Sequence, residues 1–151
     1  MATTDAISAT CTTIATILTA AMAEEREALG LEDVNPTFGV YTSSDFTPSG
    51  DPATTSISTG ASIFLYRAFP NLTNRTPAGR LLADGRRFKT MLPLDLHLLV
   101  TIWAESSDTQ NRLVGWVMRT LEDYPVIPSA ALNAGRDTPV FAEDEAVELV
   151  L

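Results

Sequence analysis

The sequence predicts an α+β fold: an antiparallel or mixed β-sheet of about four strands, with helices packed on one face. Three observations carry that reading. First, residues 91–103, MLPLDLHLLVTIW, alternate: Leu92, Leu94, Leu96, Leu98, Val100 and Ile102 share one parity, and Asp95, His97 and Thr101 share the other. Successive side chains of a strand point to opposite faces, so one face is an unbroken aliphatic row. Second, Ile7, Cys11, Ile14, Leu18 and Met22 recur at spacings of three to four, the period of a helix with one apolar stripe. Third, the elements follow in the order helix, strand, strand, strand, helix, strand, which is not the alternation of a parallel α/β protein.

The first helix is expected over residues 4–29. Thr4 or Asp5 can cap its start, and Gly30 suits the position just past its end. Its many alanines let it lie close to another surface. A short strand follows at 37–41. Residues 42–56 are rich in Ser, Thr, Pro and Gly and read as a loop, long for a compact domain. A central strand is expected at 57–68, with Ile63 and Leu65 on one face, Phe64 and Tyr66 on the other, and Phe69 and Pro70 ending it. After a second loop, 71–84, the third strand spans about 87–103. Pro93 lacks an N–H for the ladder, so a bulge, edge or bend is expected there. Ser107 and Gln110 have the spacing of a capping box and open a helix to about residue 123, stopped by Tyr124 to Pro128. A helical turn at 129–133 precedes a last strand, 146–151, expected to be unpaired. An apolar residue in mid-pattern is an abrupt end, and more chain is expected after it.

With 151 residues and 45% apolar content, the chain fits a single domain, 1–151, that needs no disulfide or metal staple. Its net charge of −9 speaks against wholesale nucleic-acid binding. The single cysteine, Cys11, allows no internal disulfide and lies on the helical stripe, as a small buried hydrophobe would. No apolar run approaches the ~20 residues that span a bilayer. Asp5 stands where a signal peptide needs positive charge, so the N-terminus reads as a helix and the protein as one that folds in a reducing cytoplasm.

Asp95 and His97 lie at i, i+2 on one strand face. An acid–base pair would use such neighbours to fix an imidazole tautomer. No nucleophile motif accompanies them, no second histidine completes a metal set, and no glycine-rich phosphate loop occurs, so no cofactor is implied. The alternatives are a small cytosolic enzyme built on this pair, or a polar strand face that is solvated or meets a partner. Glu24, Glu25 and Glu27 read as a solvated helix end, and Glu143, Asp144 and Glu145 lack the spacing of a calcium loop. One asymmetry stands out: Arg67, Arg75, Arg80, Arg86, Arg87 and Lys89 are six of the ten cations, with Asp84 the one acid among them. Such a segment is either a solvated loop or a basic patch for an acidic surface on another copy or a neighbour.

Read together, GASIFLYR at 60–67 followed by Asn71, LDLHLLVT at 94–101, LVGWVM at 113–118 and YPV at 124–126 resemble the N-terminal domain of the cap, or tail-terminator, proteins of phage-tail-like extracellular contractile injection systems, the antifeeding-prophage type. The resemblance implies a structural protein and not an enzyme. It implies a ring, expected to be six-fold, on the end of the tube and sheath distal to the baseplate, where it stops polymerisation and holds sheath to tube. The implied partners are further copies of the chain and the inner-tube and sheath subunits, with no nucleic acid and no membrane segment. The implied location is the cytoplasm during assembly, within a particle that is later released or retained. A phage tail-completion protein is a close alternative. The family domain usually continues with a helix and strand past the equivalent of Val150, so either the sequence given stops short or this member is short.

A ring uses head-to-tail contacts. The expected contact sets Arg67, Arg75, Arg80, Arg86, Arg87 and Lys89 against Glu143, Asp144, Glu145 and Glu148, or against the acids at 24–33. Asp95 and His97 then orient a loop or a neighbour, and the last strand adds to a neighbour's sheet edge.

Overall fold

A computed structural model describes residues 2–46, 57–74, 84–85 and 92–151. The fold is α+β: a mixed three-stranded sheet, three α-helices and a separate two-stranded sheet.

Helix α1, Ala6–Glu25, is Ala- and Thr-rich. Thr10, Thr12, Thr16 and Thr19 each donate a hydroxyl hydrogen bond to the carbonyl four residues back, so these polar groups are satisfied without leaving the helix. Asp5 occupies the N-cap position but makes no side-chain cap bond. Gly30 takes the left-handed conformation (φ 65°) at the end of the turn that follows. The buried stripe contains Cys11, Ile14, Leu18 and Met22, as the period predicts. At 20 residues, α1 is long and apolar enough by composition to cross a membrane, which corrects the expectation of no such run. The alanines raise its mean hydropathy; the stripe itself belongs to the core.

Strand β1, Thr37–Tyr41, has the predicted bounds. It pairs in parallel with β2, Gly60–Pro70, and β2 pairs antiparallel with β3, Leu94–Trp103, giving the order β1-β2-β3. β2 starts three residues later and runs two residues farther than the expected 57–68, and Pro70 ends it. Pro70 lies opposite Leu94, and Pro93 sits just outside the ladder, its carbonyl accepting from Asn71 N–H at 2.9 Å. The expected start of β3 at 87 falls on residues outside those described.

The register jumps between Leu65 and Arg67: Leu65 faces Leu98, and Arg67 faces His97. Tyr66 is therefore a bulge, which reverses the parity of β2 beyond it. Before the bulge, Ala61, Ile63 and Leu65 share the face of Ile102, Val100 and Leu98. After it, Ala68 and Pro70 join Leu96 and Leu94, while Arg67 and Phe69 join His97 and Asp95.

The inner face is covered by α1 and by α2, Ser107–Glu122. Leu18 and Met22 of α1, Phe38, Ala61, Ile63 and Ile102 of the sheet, and Leu113, Trp116, Val117 and Leu121 of α2 form one core. The Trp116 indole donates to Glu25 Oε2 at 3.0 Å and its ring lies 5.7 Å from Phe38, locking helix to helix and to sheet. The N-cap of α2 is Ser106, one residue before the expected Ser107. Its hydroxyl accepts from Thr109 N–H, while Gln110 reaches back to the Ile102 carbonyl at 2.9 Å.

Two further corrections concern the C-terminal third. Residues 126–128 do not merely stop a helix: they form β4, Val126–Pro128. The last strand, β5, Ala146–Glu148, pairs antiparallel with β4 and is not unpaired. The main sheet thus has three strands. Helix α3, Ser129–Leu132, lies between, and Asn133 ties this region together. Its side-chain oxygen accepts from Val140 and Phe141 N–H at 2.8 and 3.0 Å, and its amide donates to the Phe141 carbonyl at 2.9 Å.

Candidate functional site, a ribbon that outruns its core

The aliphatic row of β3 meets the core only at one end. Ile102 is buried, Val100, Leu98 and Leu96 are half-buried, and Leu94 is exposed. β2 shows the same gradient, buried from Gly60 to Ile63 and exposed from Tyr66 to Pro70. The expectation that the whole row seats helices is thus corrected. The core-covering residues of the sheet all lie at the Gly60 end, while β2 and β3 continue as a two-stranded ribbon. Among the described residues, both faces of the ribbon's far end carry exposed side chains, Leu94 on one and Phe69, Asp95 and His97 on the other.

Asp95 and His97 lie on this ribbon, and the structure does not join them. Among the described residues, Asp95 Oδ1 accepts from the Asn71 amide at 3.0 Å, and the His97 ring stands edge-on to Phe69 at 5.4 Å. Arg67, across the ladder from His97, lays its guanidinium 4.7 Å from the Phe69 ring centre and 5.7 Å from that of Tyr66. The cluster is a surface of stacked side chains in which the Asp95 carboxylate is hydrogen-bonded within the ribbon. Asn71 closes the ribbon end. Its N–H bonds Pro93, its amide bonds Asp95, and its side-chain oxygen accepts from Asn74 N–H. On the same face, Trp103 donates its indole N–H to the buried Ser62 hydroxyl at 2.9 Å.

Of the other predicted contact residues, Arg75, Arg80, Arg86, Arg87 and Lys89 lie outside the described residues. Glu143, Asp144 and Glu148 are exposed around β5. Glu145 is spent locally: Ala142 N–H donates to one oxygen at 2.8 Å and Ala2 N–H to the other at 3.0 Å. Partial burial pushes its carboxyl up, but these bonds and the positive charge of the amino terminus together outweigh it and hold the carboxyl below the usual glutamate range. A depressed carboxyl adds stability above the unfolded-state value of 4.5, and that stability disappears as pH falls through the lower folded-state value. The melting temperature of Glu145→Gln should therefore lie below that of the parent at pH 7 and converge with it below pH 4.5. A constant gap down to pH 3 would show that the bonds do not act through ionisation.

One feature was not read from the sequence. A shallow groove of about 570 Å³ runs between α1 and the outer edge of β1, lined by Thr12, Ala15, Thr16, Thr19, Ala20, Ala23 and residues 38–40. Its only sequence signal was the run of small residues in α1. Cys11 lies buried in the same helix, and burial pushes its thiol up, so it is not a primed nucleophile. Among the described residues, no group of three or more His, Cys, Asp or Glu is placed to hold a metal ion.

The described residues thus form a core, a ribbon with exposed apolar and cationic side chains, and an apolar groove between α1 and β1. The family model described as the Pvc16 N-terminal domain matches residues 9–151. No curated protein and no solved structure matches. With nearly its whole length covered, this chain belongs to the Pvc16 N-terminal domain family, a structural component family of the Photorhabdus virulence cassette, a contractile injection system.

Proposed function

We propose that the chain is the cap, or tail terminator, of a contractile injection particle. Copies form a ring, six-fold by the resemblance, on the end of the tube and sheath distal to the baseplate. The ring ends polymerisation and holds sheath to tube. The observation that carries this reading is the ribbon: β2 and β3 extend past the core and expose apolar side chains on both faces, as a subunit needs when neighbours supply the missing cover. Membership in a component family of a contractile injection system supports taking those neighbours to be parts of such a particle.

Opposed charges are proposed to set the ring's register. Arg67 on the ribbon, with Arg75, Arg80, Arg86, Arg87 and Lys89 from the same stretch of sequence, would face the exposed Glu143, Asp144 and Glu148 of the next copy or the acids at 24–33. With Glu145 committed within its own chain, the other three acids carry the first of these options.

The test is particle length. Cells that make every other component but not this chain should yield tubes and sheaths of widely scattered length with open distal ends in electron micrographs. Restoring the chain should restore a single length. Particles of uniform length and closed ends without it would sink the cap reading. Arg86→Glu with Arg87→Glu should lower the capped fraction several-fold and raise its salt sensitivity, because rim charges act chiefly on encounter rate.

A further inference from the structure

The ribbon and the groove have matching chemistry, and the topology says how they can meet. The sheet order leaves the outer edges of β1 and β3 without a strand partner among the described residues. An open edge offers unpaired N–H and C=O groups to any extended segment. The groove lies along the open edge of β1, and its floor residues Phe38 and Val40 share the sheet face on which α1 packs. Val40 is 45% exposed. The aliphatic row Leu94, Leu96, Leu98 lies on that same face of the sheet. A strand that extends the sheet keeps its faces aligned with it. A second copy's β3 laid along β1 would therefore turn its aliphatic row toward α1, where a wall of Ala and Thr gives room for leucines.

We infer that the β2–β3 ribbon of one copy docks along the outer edge of β1 in a second copy, with Leu94, Leu96 and Leu98 facing the groove between α1 and β1. The inference rests on the ring reading and specifies its contact. Three observations favour a second copy as the occupant. On the face that would meet the groove the ribbon exposes Leu94, with Leu96 and Leu98 half-buried beside it and Leu92 exposed just before the strand. The charges are complementary: the stretch 67–89 holds six cations and one acid, and the helical wall of the groove runs on from Ala20 and Ala23 to the exposed Glu24 and Glu27. The two surfaces also differ within one chain, so the contact is head-to-tail and repeats until a rotation closes it.

The test is a cross-link in assembled particles. Chains carrying Cys11→Ala, to remove the buried thiol, and either Leu94→Cys or Val40→Cys are co-expressed with all other components and treated with a short bismaleimide. Both positions are exposed, so the core is untouched. Within one chain they cannot be bridged: Val40 aligns with Ile63 and Val100, and Leu94 lies six residues farther along β3, about 20 Å away.

The expected result is a covalent dimer of the two chains, about ten-fold above either single-cysteine control, because docking holds the thiols together. A chain with both cysteines should give a ladder of linked copies. Particles whose ends are capped but give no such product would overturn this contact and leave the ring reading standing. A product joining Leu94→Cys to a tube or sheath subunit would overturn it in favour of that partner. Ends that carry no ring of this chain would remove both readings. As a second variant, Val40→Arg should lower the capped fraction without changing the melting temperature of the purified chain; capping at the parental level would count against the groove.

Discussion

Gly60→Ala should cost about 4 kcal/mol or more, enough to leave little soluble folded protein, since domains of this kind have only about 5–15 kcal/mol in hand. Gly60 opens β2 with φ at +137°, a conformation nearly closed to residues with a Cβ. An added Cβ would lie 1.9 Å from the Thr37 carbonyl oxygen and 2.6 Å from its nitrogen. Both are backbone atoms, so no side chain can swing away. Thr37 is the register partner of Gly60, and its N–H bonds the Thr59 carbonyl at 3.0 Å. Relief would require β1 to move off β2, which takes Phe38 away from Trp116 and opens the core. The backbone strain alone is about 1–3 kcal/mol, and the lost pairing and packing add to it. Urea unfolding of the purified variant checks this; a loss below about 1 kcal/mol would mean the close approach relaxes without disturbing the sheet.

The second large effect is Leu18→Ala, expected to cost about 3 kcal/mol and to lower the melting temperature by about 10 °C. Leu18 is fully buried on α1, in the core cluster that also holds residues of the sheet and of α2. Truncation leaves a hole that a close-packed core fills only in part. The informative control is Leu99→Ala. Leu99 sits in an equally regular strand pattern but is 53% exposed on the outer face, so its loss should cost well under about 1 kcal/mol. Equal costs at the two positions would mean that the outer face of the sheet is covered in the isolated chain. In that case the ribbon would not be an open surface.

The same contrast shows how much was legible in advance. The stripe of α1 was readable because a 3.6-residue period is a local property, and Ile14, Leu18 and Met22 are buried as it requires. The bounds of β1 were readable for the same kind of reason. The N-cap of α2 was misplaced by one residue, since Ser106 and Ser107 are chemically alike and only backbone geometry distinguishes them. The short β4 leaves no signal in the sequence: three residues that follow one proline and end in another carry too little alternation, and without that partner β5 reads as unpaired.

Asp95 and His97 share one strand face, as their parity predicts, but the contacts they make there cannot be read from that pattern. Their partners Asn71 and Phe69 come from across the ladder, and the bulge at Tyr66 selects which β2 side chains share their face. A bulge has no local periodic signature. By itself, then, the sequence determined the α+β class, the helical stripe, the strand parity and the segregation of charge, all properties of neighbours along the chain. Only the tertiary structure decided which part of each apolar row is covered. Burial depends on where other elements end, and here the core residues gather at the Gly60 end of β2 while the two strands run on. That difference in length leaves Leu94 in solvent and Ile102 in the core, on one unbroken row.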